Sequence, residues 1–209
     1  MSRTKIILAD DHTLLLDTLK NLLEPEYEVV GTFTCGDDLI SKAGSLGPEV
    51  VVLDICMPKM NGLNVCSRLK QLLPKVKVIF LTMDQDVDTA GEAFRAGAAG
   101  YVLKTSAASE LTEAIREVMR GGYFATPSLT EGMLGSFVKN FKRMKPSRDL
   151  TVRQKEVLQL LLEGYSMKQV AHVLHITPRT VAFHKYSMME HLNIHSSAEL
   201  ISYAMNSHP

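Results

Sequence analysis

Cysteine is scarce in this chain. Its 209 residues include three cysteines, Cys35, Cys56 and Cys66. Their spacing lacks the C-x-x-C pairs of a zinc site, and an odd number does not fit a disulfide framework. Disulfides belong to oxidising compartments, so three reduced thiols fit the cytosol best. The cysteine content argues against a disulfide-stabilised secreted domain and against a structural zinc domain.

Long apolar runs are also missing. No uninterrupted apolar stretch approaches the roughly 18 residues that a membrane-spanning helix requires. Near the N-terminus the apolar segment from Ile6 to Ala9 runs directly into Asp10 and Asp11, which is unlike a secretory signal. We expect a cytoplasmic protein without a membrane partner.

The chain has no net charge, since 23 Lys and Arg balance 23 Asp and Glu. The charges are unevenly distributed, because residues 1–120 carry 13 Lys and Arg against 17 Asp and Glu, whereas residues 148–209 carry 6 against 5. The acidic first part suggests a cation site. The mildly basic second part is a weak electrostatic signature for a DNA-binding domain.

The first 120 residues alternate apolar, β-rich runs with segments of helical periodicity. The predicted strands are Lys5–Ala9, Glu28–Phe33, Val50–Asp54, Val76–Leu81 and Gly100–Leu103. The predicted helices are 13–24, 37–46, 62–73, 86–97 and 107–120. Apolar strands separated by helices predict a doubly wound α/β fold, in which helices cover both faces of a five-stranded parallel sheet.

The pattern changes beyond this region. We predict a first domain over residues 1–122, a linker over 123–147 that includes a helix around 129–142, and a second, all-α domain over 148–209. The predicted helices of the second domain are 151–163, 167–173, 178–191 and 196–206.

Polar side chains stand at the carboxyl ends of four predicted strands. Asp10 and Asp11 end the first strand, Asp54 the third and Thr82 the fourth, and Lys104 follows the fifth. A doubly wound parallel sheet brings these ends to one crevice. Three carboxylates there repel one another unless a hard cation lies among them, and Mg²⁺ suits such oxygen ligands.

This combination suits phosphoryl chemistry. A carboxylate held beside a metal ion can attack phosphorus and form an aspartyl phosphate. Lys104 and the Thr82 hydroxyl would then contact phosphoryl oxygens. Taken singly, each residue has a plainer interpretation, because acids at a strand end are usually solvated and a lone Lys is usually a surface charge. The prediction depends on the whole set.

Four motifs in this region resemble the response-regulator receiver family. They are I-L-A-D-D (7–11), L-D-I-C-M-P-K-M-N-G (53–62), L-T-M (81–83) and G-A-A-G-Y-V-L-K (97–104). They stand in the family's order across nearly all of residues 4–120. The resemblance implies a flavodoxin-like strand order, 2-1-3-4-5, and phosphorylation of Asp54 by a histidine kinase.

The same resemblance implies residue roles. Mg²⁺ would be bound directly by Asp11, Asp54 and the backbone carbonyl of Cys56, and less directly by Asp10. The implied switch and phosphate-binding residues are Thr82, Tyr101 and Lys104. On phosphorylation the threonine would be drawn to the phosphoryl group, the tyrosine would rotate inward, and the lysine would pair with the phosphoryl group.

Three residues depart from the commoner family pattern. Thr105 follows Lys104 where Pro often supports a cis bond, so the loop is either held cis, at a cost of roughly 3–4 kcal/mol, or shaped differently. Met83 replaces a small side chain, and Cys56 lies beside the route of an attacking water. We expect both to tune the lifetime of the phosphate.

The second domain carries helix start signals. Thr151 with Gln154, and Ser166 with Gln169, fit capping boxes. A helix at 167–173, a short turn and a helix from 178 fit a helix-turn-helix, although helix spacing alone would favour a plain helical hairpin. The deciding motifs resemble the LuxR-type helix-turn-helix of the FixJ and NarL response regulators. They are E-G-Y-S-M-K-Q-V-A (163–171), T-x-R-T-V-x-x-H (177–184) and L-N-I-H-S-S-A-E-L (192–200).

The helix from residue 178 is the predicted recognition helix. Its inward stripe would be Val181, Met188 and Leu192. The face predicted to enter the major groove carries Arg179, Ala182, Phe183 and Tyr186. Family positions that approach phosphates or the base of this helix are Lys168, Thr180, His184 and Lys185. Alternatively, the two aromatic side chains of the groove face rest against the first domain in an inactive state.

These features predict a transcription regulator that is switched by phosphorylation of Asp54 and binds double-stranded DNA as a homodimer. One alternative is DNA binding controlled by concentration or by a partner protein. The complete set Asp11, Asp54, Thr82 and Lys104 argues against it. Another alternative is a phosphatase or haloacid-type hydrolase. It would need a cap domain, and the short loops around the crevice do not supply one, so we do not predict an enzyme.

Overall fold

A computed structural model describes residues 3–57, 60–130 and 150–207. The chain forms two compact units that divide between residues 137 and 138. This division falls in the stretch 131–149, outside the described residues. Most of the predicted helix 129–142 lies in the same stretch, and only its first residues, 129 and 130, are described and helical.

The first unit is a parallel sheet flanked by helices. Its strands are β1 (Lys5–Ala9), β2 (Glu28–Phe33), β3 (Val50–Leu53), β4 (Lys77–Thr82), β5 (Gly100–Leu103) and β6 (Phe124–Ala125). Its helices are α1 (Thr13–Leu23), α2 (Gly36–Leu46), α3 (Gly62–Leu72), α4 (Val87–Arg95) and α5 (Ala107–Met119). The strand order is β2-β1-β3-β4-β5-β6, and every pair is parallel. The predicted α/β fold and the order of its five strands are confirmed.

Both faces of the central strands are buried. In β1, Ile6 and Leu8 pack into a cluster with side chains of α1 and α5. Ile7 points to the opposite face and is also fully buried. Side chains alternate between the faces of a strand, so a strand that is apolar throughout requires cover on both sides. Burial on both faces therefore explains why the central strand segments of the sequence are apolar throughout.

The sixth strand is a correction to the sequence analysis, which assigns its residues to the linker. The Phe124 amide donates to the Ala99 carbonyl at 3.0 Å, and the Thr126 amide donates to the Tyr101 carbonyl at 3.0 Å. Two residues are too few to show a strand periodicity, so the sequence gives no signal for this pairing. The sheet therefore extends beyond the predicted end of the first domain at residue 122.

The second unit is all-helical, as predicted. Its helices are α6 (Val152–Leu162), α7 (Met167–Val173), α8 (Pro178–His191) and α9 (Ser197–Ser207). Both predicted capping boxes form, at Thr151 with Gln154 and at Ser166 with Gln169. Thr177 caps α8 by accepting a hydrogen bond from the Thr180 amide at 3.1 Å. These caps satisfy amides that a helix leaves without intrahelical partners.

A small apolar core holds these helices together. Val181 and Met188 are fully buried in it, and Leu192 packs against it at half-burial. The predicted inward stripe of α8 is thus confirmed. Val157 of α6 and Leu200 of α9 belong to the same core. Within the described parts of the chain, no helix combines the length and apolar character needed to cross a membrane.

Gly62 allows the first turn of α3 to lie against the end of β3. A Cβ at this position would lie 2.5 Å from the Asp54 carbonyl oxygen and 2.7 Å from the Ile55 Cα. Both are backbone atoms, which cannot rotate away. The Gly62 amide uses this close approach to donate to the Ile55 carbonyl at 2.8 Å. A side chain here would therefore displace the loop that carries Asp54.

We expect Gly62→Ala to lower the free energy of unfolding by about 1–3 kcal/mol, because the new methyl group forces backbone apart. Urea denaturation at pH 7 measures this change. The matched control is Gly44→Ala in α2, where an added Cβ meets no atom within 4 Å. Alanine should stabilise that helix by roughly 0.5–1 kcal/mol. Equal effects of the two substitutions would contradict the close-approach explanation.

Candidate functional site

Two carboxylates are placed by continuations of the sheet ladder. The Asp10 amide donates to the Phe33 carbonyl at 3.0 Å, and the Asp54 amide donates to the Ala9 carbonyl at 2.8 Å. The backbone is therefore still held as a strand where these residues leave β1 and β3. Both residues are buried, at 2% and 3% exposure. Two neighbouring acids buried at one sheet edge require a compensating charge.

Lys104 supplies that charge. Its Nζ lies 2.5 Å from Asp10 Oδ2 and 3.0 Å from Asp54 Oδ2. The lysine follows β5, so a single ammonium group joins the carboxyl ends of β1, β3 and β5. The structure thereby brings together three of the predicted site residues from positions far apart in the sequence.

Burial and charge act in opposite directions on this cluster. Burial raises the pKa of Asp54, and the nearby Asp10 adds to this, while Lys104 opposes it without fully compensating. For Lys104, burial alone would lower the pKa, but the charges and hydrogen bonds of Asp54 and Asp10 outweigh burial and raise it. The lysine therefore stays charged at neutral pH, and the ionised Asp54 is held at a cost.

The donor set around these acids fits a hard divalent cation. Ligand atoms of Asp10, Asp11 and His12 lie within 4.8 Å of one another. Asp54 Oδ1 accepts a hydrogen bond from the Cys56 amide at 3.2 Å. Carboxylate and carbonyl oxygens are the ligands that Mg²⁺ prefers. If bound, the ion would be held by Asp11, Asp54 and the Cys56 carbonyl, and would neutralise phosphoryl charge.

His12 is a neighbour that the sequence analysis did not name. Its Nδ1 lies 3.0 Å from Asp10 Oδ1 and 2.9 Å from Asp11 Oδ1. Its amide also donates to Asp10 Oδ1 at 2.9 Å. The run D-D-H was the available signal, because His12 directly follows the two acids at the end of β1 and begins the turn into α1.

The two predicted switch residues meet on the backbone of Asp84. The Asp84 amide donates to Thr82 Oγ1 at 3.1 Å, and the Tyr101 hydroxyl donates to the Asp84 carbonyl at 2.9 Å. Tyr101 is fully buried, so its ring points inward. Burial, followed by the charges of Asp84 and Asp86, raises the pKa of its hydroxyl well above the usual value. The tyrosine therefore remains a neutral donor.

The segment after Lys104 is shaped without a cis bond. The Lys104–Thr105 peptide is trans, and Lys104–Ser106 form a 3-10 turn that leads into α5. Of the two alternatives for this loop, the different shape is the one that occurs. Met83, which directly follows Thr82, is half exposed (51%).

The predicted groove face of α8 is only partly exposed. Tyr186 is 54% exposed, and Arg179 and Ala182 are half-buried. Phe183, in contrast, is 5% exposed and lies edge-on to the His184 ring, with the centroids 5.3 Å apart. The sequence predicts that all four side chains of the groove face are exposed, but Phe183 is buried.

The other predicted DNA-contact residues also include both accessible and buried side chains. Lys168 on α7 is exposed and Lys185 on α8 is half-buried, whereas Thr180 and His184 are buried. Thr180 is engaged at the helix cap, where its hydroxyl lies 2.9 Å from that of Thr177. Its burial follows from its place beside the inward stripe. Thr180 therefore fits a role in holding the base of the helix.

Both units match known families. Residues 6–116 match the response regulator receiver domain. Residues 148–204 match the luxR family of bacterial regulatory proteins. The first match alone covers more than half of the chain.

The chain is a response regulator.

The proteins to which this chain is similar are named as regulatory proteins. This response regulator is 33% identical to the oxygen regulatory protein NreC of Staphylococcus carnosus, over 96% of both chains. It is 30% identical to the transcriptional regulatory protein DegU of Brevibacillus brevis, over 96% of this chain and 92% of the relative. It is also similar to RcsB of Salmonella enterica serovar Typhimurium, solved bound to a promoter with the phosphomimetic BeF3⁻. There the TM-score is 0.62 and the identity 25%, over 97% and 98% of the chains.

The raised pKa of Asp54 gives this response regulator a stability signature. Because the folded state binds the Asp54 proton more tightly than the unfolded chain does, ionisation costs folding free energy. The cost is absent below the usual Asp pKa of about 3.9 and is complete above the raised folded-state pKa. We expect Asp54→Asn, without Mg²⁺, to raise the free energy of unfolding at pH 7 by on the order of 1 kcal/mol.

The difference between wild type and Asp54→Asn should shrink as the pH falls toward 4, and urea denaturation across this range measures it. Glu113→Gln, an exposed carboxylate on α5, is the control and should change little at any pH. Destabilisation by Asp54→Asn at pH 7 would mean that the attraction of Lys104 outweighs burial.

Proposed function

We propose that a histidine kinase phosphorylates Asp54 in the presence of Mg²⁺ and that the aspartyl phosphate controls DNA binding by the second unit. The observation that carries this proposal is the buried cluster in which Lys104 Nζ contacts both Asp54 and Asp10. A buried carboxylate beside a cation donor set and a fixed ammonium group has the parts that phosphoryl transfer requires.

In the proposed transfer step, a phosphoryl group passes from a histidine nitrogen to an Asp54 oxygen. An Asp54 carboxylate oxygen attacks the phosphorus of a phosphohistidine. A P–O bond forms while the P–N bond breaks, and the departing imidazole takes up a proton. Lys104, already 3.0 Å from Asp54 Oδ2, then pairs with the new phosphoryl oxygens. Its raised pKa keeps it charged for this purpose.

Thr82 and Tyr101 transmit the change. A phosphoryl group on Asp54 would attract the Thr82 hydroxyl, which now accepts a hydrogen bond from the Asp84 amide. Because Tyr101 is bonded to the Asp84 carbonyl, a movement of this backbone alters the tyrosine's partner as well. A local charge thereby shifts the population between two arrangements of α4 and β5. That shift changes the arrangement of the domains or their dimerisation.

The second unit supplies the DNA contacts. Helices α7 and α8 form the helix-turn-helix, with α8 entering the major groove. We assign base contacts to Arg179, Ala182 and Tyr186, and phosphate contacts to Lys168 and Lys185. Phe183, Thr180 and His184 would support this helix from within unless the fold opens. RcsB, solved on a promoter with a phosphomimetic, supports DNA binding coupled to the phosphoryl site.

Helix α9 provides a surface for pairing two copies. Leu200 and Ala204 are buried in the small core, while Ile201 and Met205 on the neighbouring face are exposed. Exposed apolar side chains on a terminal helix suit a self-complementary contact about a two-fold axis. We propose a homodimer in the active state, acting in the cytoplasm where its DNA target lies.

Control by concentration or a partner protein alone is the second candidate. The close contacts among Lys104, Asp10 and Asp54 disfavour it, because such a cluster is costly to bury unless it serves a purpose. Hydrolysis of the phosphate on Asp54 would act on the protein itself, so the proposal includes no turnover of an external substrate.

The test is the intact mass of the protein after incubation with Mg²⁺ and a small acyl phosphate donor. We expect wild type to gain one phosphoryl group, because Asp54 is the nucleophile. Asp54→Asn, and wild type without Mg²⁺, should gain none. Glu113→Gln, which changes an exposed carboxylate on α5, is the control and should be labelled normally. No gain by wild type, under conditions that label another receiver domain, would overturn the proposal.

A further inference from the structure

Thr126 lies at a junction of three elements in the first unit. It directly follows β6, is almost fully buried (2% exposed), and precedes helical residues that begin at Pro127. Its amide completes the sheet by donating to the Tyr101 carbonyl at 3.0 Å. Its carbonyl begins the following helix by accepting from the Leu129 amide at 2.9 Å. The backbone of Thr126 is thus fully used.

The hydroxyl of Thr126 takes over a place in the sheet ladder. In a regular parallel ladder, the Leu103 amide would donate to the Thr126 carbonyl. That carbonyl has been diverted to the helix, and the Leu103 amide donates instead to Thr126 Oγ1 at 3.0 Å. The hydroxyl proton is donated to Glu110 Oε2 on α5 at 2.7 Å. One hydroxyl therefore connects β5, β6 and α5.

Leu103 adjoins two residues of the candidate phosphoryl site. It is the last residue of β5, pairs with Thr82 of β4, and directly precedes Lys104. On its other side the ladder ends, because β6 stops at Ala125. Without the hydroxyl of Thr126, this amide would be a buried donor lacking its partner, which costs stability or forces movement.

We propose that Thr126 is a positioning residue for Lys104. Its hydroxyl holds the Leu103 amide and so fixes the start of the turn that carries the lysine to Asp54 and Asp10. Because Thr126 also precedes the helical residues 127–130, the same hydroxyl ties the start of that helical segment to the phosphoryl site. This inference rests on the proposed phosphorylation of Asp54 and names a residue that controls it.

Lys104 acts on the phosphoryl group, whereas the metal ligands come from β1 and β3. Loss of the Thr126 hydroxyl should therefore lower the rate of phosphorylation at saturating Mg²⁺. Because a displaced ammonium group repels Mg²⁺ less from Asp10 and Asp54, the half-saturating Mg²⁺ concentration should not rise. A general loss of structure would lower the rate and raise the half-saturating Mg²⁺ concentration. This difference separates positioning of the lysine from a merely structural role.

The experiment measures the initial rate of acyl phosphate labelling of the full chain by intact mass. Thr126→Val keeps the shape and removes the hydroxyl. We expect the rate to fall about fivefold, the order of effect of one hydrogen bond to a buried amide. Thr126→Ser restores the hydroxyl and should label within about twofold of wild type. Circular dichroism verifies that each variant is folded at the assay temperature.

Thr130→Val is the matched control, because this threonine is exposed and its hydroxyl donates to the Ala125 and Thr126 carbonyls at 3.5 and 3.4 Å, away from the Leu103 amide. It should label like wild type. The inference is overturned if folded Thr126→Val labels as fast as wild type, if folded Thr126→Ser fails to recover the rate, or if the half-saturating Mg²⁺ concentration rises as the rate falls. Absence of label on wild type would instead overturn the proposed function itself.

Discussion

The contact of Lys104 with Asp10 and Asp54 is the interaction on which the first unit's chemistry depends. Two carboxylates buried at one sheet edge are compatible only with a positive charge beside them, and the nearest is the lysine's ammonium group, 3.0 Å from Asp54 Oδ2. This arrangement requires the ends of β1, β3 and β5 to meet. The strand order, the close approach at Gly62 and the turn after β5 together place these strand ends next to one another.

Hydrogen bonds at two further residues connect the surroundings of this charge cluster. Asp84 joins Thr82 and Tyr101 by its amide and its carbonyl, and Thr126 joins Leu103 to α5 by its hydroxyl. In both places a hydrogen bond to a backbone amide holds a residue beside the candidate site. Under the proposed function, a packed α/β sheet with such connections would respond to the added charge of a phosphoryl group by changing between discrete arrangements.

The sequence predicts the strands and the acidic site well because both follow from regular patterns. Apolar runs of four to six residues define β1 to β5, and the parallel topology then brings Asp10, Asp54 and Lys104 together. It does not predict β6 or the burial of Phe183. A two-residue strand has no period, and Phe183 lies on the side of α8 opposite Val181, so its burial depends on tertiary packing that helical periodicity does not specify.

Control of DNA binding by phosphate on Asp54 can be measured as the affinity of the full chain for a DNA site selected from a random pool. Affinity is measured with Mg²⁺, with and without acyl phosphate, at one fixed salt concentration, because protein–DNA affinity depends strongly on salt. Acyl phosphate should tighten binding by wild type about tenfold or more, a coupling of about 1.4 kcal/mol, and should leave Asp54→Asn unchanged. Equal affinity of labelled and unlabelled wild type would contradict it.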